Sequence, residues 1–258
     1  MSKSNDSFGK TVGVVLGLCL VCSLVVSGTA VALKPQQLQN KLQDKQKYIL
    51  EAAGIEVEGG DIATTYNKYI EPRLVNFGSG DYVDGVDPVL YDQRKAARAP
   101  ETSTKPANDI ASISRRANDG VLYLVKGENG DVETVILPIH GYGLWSTMYG
   151  FLALESDLNT IQALVYYEQG ETPGLGAEVE NPKWKAKWPE KVAFDKAGNV
   201  AIKVVKGGAK VGDIHGVDGL AGATLTSNGV TNSLVFWLGA EGYGNFIAKA
   251  RNGGLNNG

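Results

Sequence analysis

Residues 120–168 read GVLYLVKGENGDVETVILPIHGYGLWSTMYGFLALESDLNTIQALVYYE. Residues 121–126 and 132–137 are rich in β-branched and aromatic types, and Gly-Glu-Asn-Gly-Asp lies between them. That composition predicts a hairpin. Residues 149–155 and 161–168 predict a second hairpin around 156–160, and residues 192–194 and 200–205 a third around 195–199. Between the second and third pairs, Trp184 and Trp188 lie four apart, on one face of an expected short helix. Helices are expected at 228–238 and 241–250. Strands in hairpins with helices between them point to an α+β fold of antiparallel strands and packed helices, not to a doubly wound sheet.

Upstream the pattern is different. Residues 78–118 are polar and broken by Pro88, Pro100 and Pro106, which predicts irregular chain with one helical turn near 110–116. A short helix is expected over 61–75. An amphipathic helix is expected over 35–53, with Leu38, Leu42, Ile49 and Leu50 on one stripe. Before it, residues 11–33 (TVGVVLGLCLVCSLVVSGTAVAL) carry no charge. As a helix they would reach roughly 34 Å, enough to cross a bilayer. A secretory signal is the alternative, with Ala30 and Ala32 as its cleavage site. The apolar run exceeds the usual signal core, which favours a retained anchor. The chain thus divides into a leader (1–10), a transmembrane helix (11–33), a helical and irregular membrane-proximal region (34–118) and a folded domain (119–258).

Several function classes are excluded. The formal net charge is −3, which gives no electrostatic footprint for nucleic acid. The only cysteines, Cys19 and Cys22, lie inside the apolar run and read as small apolar residues there. The rest of the chain therefore holds neither a disulfide framework nor a cysteine-ligated cluster. His140 and His215 are too few and too far apart in sequence to argue a metal site. No G-x-S-x-G, Walker A or zinc motif occurs, and no glycine run has the form of a nucleotide site for NADH.

One segment carries chemistry. Residues 218–227 read DGLAGATLTS. Its small residues leave the backbone open around Thr224, and Thr226 or Ser227 is placed to cap a helix starting near Asn228. Such a turn suits a phosphate, because free N–H groups and the helix dipole both favour an anion. An ordinary loop leading into a capped helix fits the same residues.

This segment resembles the flavinylation motif D-G-x-(S/T)-G-A-T of FMN-binding domains. The NqrC family, flavin-bearing subunits of the Na+-translocating NADH:quinone oxidoreductase, carries it, as does the related subunit of the Rnf complex. Residues 140–146 (HGYGLWS) and 166–182 (YYEQGETPGLGAEVENP) are similar to further hallmarks of the NqrC family, so the likeness covers essentially the whole chain.

The resemblance implies FMN esterified through its phosphate to Thr224 by a flavin transferase that uses FAD, with Thr226 the one close competitor. Asp218, Gly222 and Ala223 complete the motif, and Ala221 stands where the family usually has Ser or Thr. Gly143, Leu144 and Trp145 are then expected beside the flavin ring. Thr172, Gly174 and Leu175 would meet its polar edge, and Glu171 and Lys206 would adjust the field on it.

The implied role is electron relay in a complex that oxidises NADH, reduces ubiquinone and exports Na+. The partners would be the other subunits and membrane lipid. The location would be the bacterial inner membrane, with the bulk on the periplasmic side. The lysines give the opposite orientation: Lys3 and Lys10 precede the apolar run, and Lys34, Lys41, Lys45 and Lys47 follow it. Two alternatives stay open: an Rnf-type electron-transport subunit, and an unflavinylated, membrane-anchored binding or assembly domain.

Overall fold

The computed structural model describes residues 8–127, 129–253 and 255. Most of the leader, with Lys3, and Glu128 of the first hairpin turn lie outside the described residues. The chain divides into two units, Met1–Lys45 and Gln46–Gly258. The described part of the first belongs to one helix, α1 (Phe8–Ala52), which continues through Pro35. Proline removes one ladder hydrogen bond there, and the expected boundary between an anchor and a following helix does not form. Every residue from 8 to 45 is exposed. The apolar surface of its residues 11–33 is unfavourable in water and suits a bilayer. The amphipathic stripe expected over 35–53 holds only at its end. Leu38 and Leu42 stay exposed, whereas Ile49, Leu50 and Ala52 are buried in the second unit.

Helix α2 (Ile62–Tyr69) starts at Asp61, whose carboxylate accepts the Thr64 N–H at 3.1 Å. The helix expected over 61–75 stops there, and Ile70–Asn76 forms strand β1 instead. Pro72 accounts for the switch: it cannot donate within a helix, but it is tolerated on an edge strand, and β1 is an edge of the sheet. Next come α3 (Gln93–Arg98), capped by Asp92, and a two-stranded ribbon of β2 (Ser103–Thr104) and β3 (Arg116–Ala117). The helical turn expected near 110–116 is absent. Ser112 and Ser114 adopt left-handed φ values of 54° and 66°. The Asp109 carboxylate accepts the N–H groups of Ile113 and Ser114 instead.

Strands β4 (Asp119–Lys126), β5 (Val132–Tyr142), β6 (Thr147–Glu155) and β7 (Thr160–Glu168) form the two expected hairpins and join as one meander. A single helical turn, α4 (Pro182–Lys185), carries Trp184, which meets the Trp188 ring edge-on at 5.3 Å. Strand β8 (Lys191–Val192) pairs with β7 and completes an antiparallel six-stranded sheet of order β1-β4-β5-β6-β7-β8. The third hairpin forms only at its turn, where Phe194 bridges Val200 and Asp195 accepts the Ala197 and Asn199 N–H groups. Beyond it, β9 (Lys203–Val205) pairs in parallel with β10 (Gly216–Asp218) as a separate ribbon. Helices α5 (Thr224–Leu238) and α6 (Gly244–Gly253) close the chain.

The sheet is buried on both faces. One face packs against the end of α1 and Tyr66 of α2. The other packs against α5, α6 and the two tryptophans of the α4 region, and Trp188 and Trp237 are fully buried there. This second face places the N-terminus of α5 beside the β5–β6 turn and the chain that follows β7.

Candidate functional site

Helix α5 begins at Thr224, four residues before the start expected from its sequence. Gly222 (φ +70°) turns the chain into the helix in the left-handed region that glycine tolerates best. Thr226 and Ser227 lie inside the first turn, both buried, and neither caps it. The Ser227 hydroxyl accepts the Leu220 N–H at 3.1 Å and pins the glycine-rich loop to the helix. No side chain caps α5. Its first N–H groups have no acceptors within the helix, so this end favours an anion. Thr224 is exposed there, and Leu225 beside it is 57% exposed.

The β5–β6 turn supplies the second wall. Gly143 N–H donates to the Ser146 carbonyl at 2.8 Å, and the Tyr142 hydroxyl donates to the Trp145 carbonyl at 3.0 Å. Trp145 is 65% exposed and Leu144 39%. A Cβ on Gly143 would lie 2.6 Å from Glu171 Oε1, so only glycine permits this approach. The third wall follows β7. The Thr172 carbonyl accepts the N–H groups of Leu175 and Ala177, and Gly174 takes φ +75° between them. Leu175 lies over Gly222, its Cδ2 2.9 Å from where a Cβ would stand.

Glu171 joins these walls. It is buried, and it accepts the N–H groups of Leu144, Trp145 and Ser146 and the hydroxyl of Thr226. Burial pushes its pKa up. The hydrogen bonds from Thr226, Trp145, Leu144 and Ser146 outweigh burial and hold the carboxyl below the ordinary glutamate range.

The structure therefore brings together Gly143, Leu144, Trp145, Glu171, Thr172, Gly174, Leu175, Gly222, Ala223 and Thr224. Asp218 adjoins the group, but its carboxylate faces away from it. It pairs with Lys187 and accepts the Ala209 N–H at 2.8 Å. Its pKa is lowered first by the Lys187 hydrogen bond and then by that N–H. Lys206 is exposed, in the turn after β9. Sequence reasoning missed Ser146, Leu225 and the tie between Thr226 and Glu171. An apolar residue directly after Thr224 was the signal for Leu225. Nothing local signals the tie, because its partners are 55 residues apart.

The two histidines are held apart in different surroundings. His140 stacks on Tyr149 at 5.2 Å and lies 4.8 Å from the Trp237 ring, and burial pushes its pKa down to about 4, with Arg94 adding to the effect. His215 Nδ1 lies 2.7 Å from the Val192 carbonyl.

These residues fit an FMN. An uncapped helix N-terminus suits its phosphate, and the exposed Thr224 sits at that end. Leu144, Trp145, Leu175 and Leu225 form an exposed apolar surface suited to a flat ring.

Fold and site together define an FMN-binding protein, and the family model described as the FMN-binding domain matches residues 143–239. The NqrC subunit of the Na+-translocating NADH-quinone reductase of Vibrio vulnificus strain YJ016 is 58% identical over 98% of this chain and 99% of its own. Its counterpart from Yersinia pestis is 49% identical over 99% and 98%. The crystal structure of Shewanella oneidensis NqrC has a TM-score of 0.79 at 41% identity and covers 83% of this chain and 99% of that one. The crystal structure of the corresponding Parabacteroides distasonis subunit has a TM-score of 0.67 at 33% identity, covering 83% and 96%. The chain belongs to the NqrC family of Na+-translocating NADH-quinone reductase subunits.

Proposed function

We propose that this chain is an electron-carrying subunit of a membrane complex that oxidises NADH, reduces ubiquinone and exports Na+, and that Thr224 holds its FMN covalently. As one subunit of a translocating oxidoreductase, it has no complete active site of its own. FMN, when bound, supplies one- and two-electron redox chemistry. The chain supplies attachment, orientation and exclusion of water. The first N–H groups of α5 would hold the phosphate, and Gly222 and Ala223 would leave room for it. Gly143, Leu144, Trp145 and Leu175 bear on the ring, with Leu225 beside them. The backbone at Thr172 and Gly174 would hold the polar edge of the ring. Asp218 shapes the motif from behind, and Lys206 contributes a positive charge at its border.

One contrast supports the attachment point. Thr224 is exposed at an uncapped helix end, whereas Thr226 is 1% exposed and its hydroxyl is committed to Glu171 at 2.6 Å. In maturation a flavin transferase is the partner and FAD the donor. The Thr224 oxygen bonds to the FMN phosphorus, the phosphoanhydride of FAD breaks, AMP leaves and the hydroxyl proton passes to solvent. The esterified phosphate keeps a negative charge suited to the helix end.

The test is mass spectrometry of the chain made with a flavin transferase. An FMN-phosphoryl mass on the Thr224 peptide, absent in Thr224→Ala and still on Thr224 in Thr226→Ser, is the expected result. An unmodified wild-type peptide would make the chain an anchored binding domain and would point to the hydroxyl missing at Ala221.

The proposed division is a cytoplasmic leader over 1–10, a transmembrane helix over 11–33, a membrane-proximal region over 34–118 and an FMN-binding domain over 119–258. The sheet of that last part is completed by β1 from the region before it. The bulk would stand on the periplasmic side of the inner membrane, among lipid and the other subunits. The lysine count opposes this orientation, but that rule weakens for long translocated domains. Cleavage of the bulk by protease added to intact spheroplasts is the expected result, and full protection would reverse the orientation.

A further inference from the structure

Glu171 is only 5% exposed, although its neighbours are glycine, threonine and proline. Its Oε1 accepts the N–H of Trp145 at 2.9 Å, of Leu144 at 3.1 Å and of Ser146 at 3.2 Å. Its Oε2 accepts the Leu144 N–H at 3.1 Å and the Thr226 hydroxyl at 2.6 Å. Its own N–H donates to Gln169 Oε1 at 2.6 Å, and the Gly170 N–H donates to the Ser146 hydroxyl at 2.7 Å. Three successive N–H groups converging on one anion make a backbone nest. A carboxylate has about four lone-pair sites, and both of its oxygens are engaged within the chain. The side chain expected from the sequence to act on the flavin therefore faces inward.

We propose that Glu171 is a positioning residue, whose buried carboxylate ties the Leu144–Trp145 turn to the first turn of α5 and so fixes the distance between the ring surface and the attachment point at Thr224. This role rests on the flavin function proposed above. The chemistry requires glutamate, because all its partners are donors. Glutamine would keep one acceptor oxygen and turn an amide N–H2 towards further donors. It also requires a hydroxyl at 226: serine keeps the tie, and valine breaks it while leaving Glu171 and its nest in place.

The experiment has two arms. In the flavin-free Thr224→Ala chain, amide hydrogen exchange at Leu144, Trp145 and Ser146 is measured with and without Glu171→Gln. Exchange should accelerate by roughly tenfold to a hundredfold, the worth of hydrogen bonds to a charged group. In the full-length flavin-loaded chain, Glu171→Gln should change the flavin circular dichroism and shift the midpoint potential. Thr226→Val should shift both in the same direction by less, and Thr226→Ser should restore the wild-type values.

Unchanged exchange at the three amides would overturn the proposal. So would a flavin signature that is the same in Thr226→Val and Thr226→Ser. If Glu171→Gln does not fold, the Thr226 pair decides alone. If wild type itself carries no flavin on Thr224, the flavin function fails and the positioning role falls with it. If wild type loads normally and the variants match it, only the positioning role is lost.

Discussion

Two carboxylates of this chain, Glu171 and Asp218, stand in neighbouring regions and do similar work under different conditions. Each holds a loop by accepting backbone N–H groups. Glu171 does so buried, with no cation among its hydrogen-bond partners, and it joins segments 26 and 55 residues away. Asp218 has a side chain 40% exposed, pairs with Lys187 and holds Ala209, nine residues away. Glu171 has both more donors and deeper burial, and both raise the cost of losing it. A buried donor left without its acceptor loses its desolvation energy outright, whereas an exposed one turns to water.

The largest break in the comparison is Glu171→Ala. Stranding three N–H groups and a hydroxyl should destabilise the folded domain by about 3 kcal/mol, measured as a shift in the urea midpoint.

A second group sharpens the contrast through pH. His140 is held neutral, with its pKa at about 4 against an ordinary 6.5. The unfolded chain binds the extra proton between these values, so stability is full above 6.5 and falls as pH drops towards 4. The loss should be on the order of 3 kcal/mol, and His140→Phe should flatten that part of the profile. Glu171 has a folded pKa below its ordinary 4.5. Its contribution is therefore present above 4.5 and is lost only as pH falls through the folded value. Below 4.5 wild type should lose stability that Glu171→Gln never had.

Thr226→Val should cost about 1.5 kcal/mol, one hydrogen bond to a charged group. Asp218→Asn should cost under about 1 kcal/mol, because its ion pair is exposed and screened. It should lose even that in high salt, whereas the cost of Glu171→Ala should barely change with salt. Equal costs at the two carboxylates would break the comparison.

The sequence made the meander legible, because alternation and turn composition are local and β4 to β7 are joined by short turns. The element over 70–76 was not legible as a strand. Pro72 was the one local sign that the helix stops, and the decisive partner, the 119–125 stretch of β4, is distant. The last hairpin was half legible, because its turn is local but the partner of β9 is not. At the site, residue types alone marked a small-residue turn leading into a helix, and only the family resemblance singled out Thr224 within it. The inward turn of Glu171 could not be read, since a glutamate among glycine and proline reads as a solvated turn residue. The start of α5 was misplaced for a related reason. Thr226 and Ser227 have the composition of caps, and tertiary partners took their hydroxyls instead.

The reach of the Glu171–Thr226 bond also sets a timetable. The meander closes hairpin by hairpin, each step local and fast, and a ribosome releases it well before the last stretch of the chain. Thr224 and Thr226 emerge later, on a helix that must dock against an already formed sheet. The attachment point proposed at Thr224 would thus acquire its shape at the end of synthesis. A modifying enzyme that recognises that shape would meet a finished domain and pass over a nascent one.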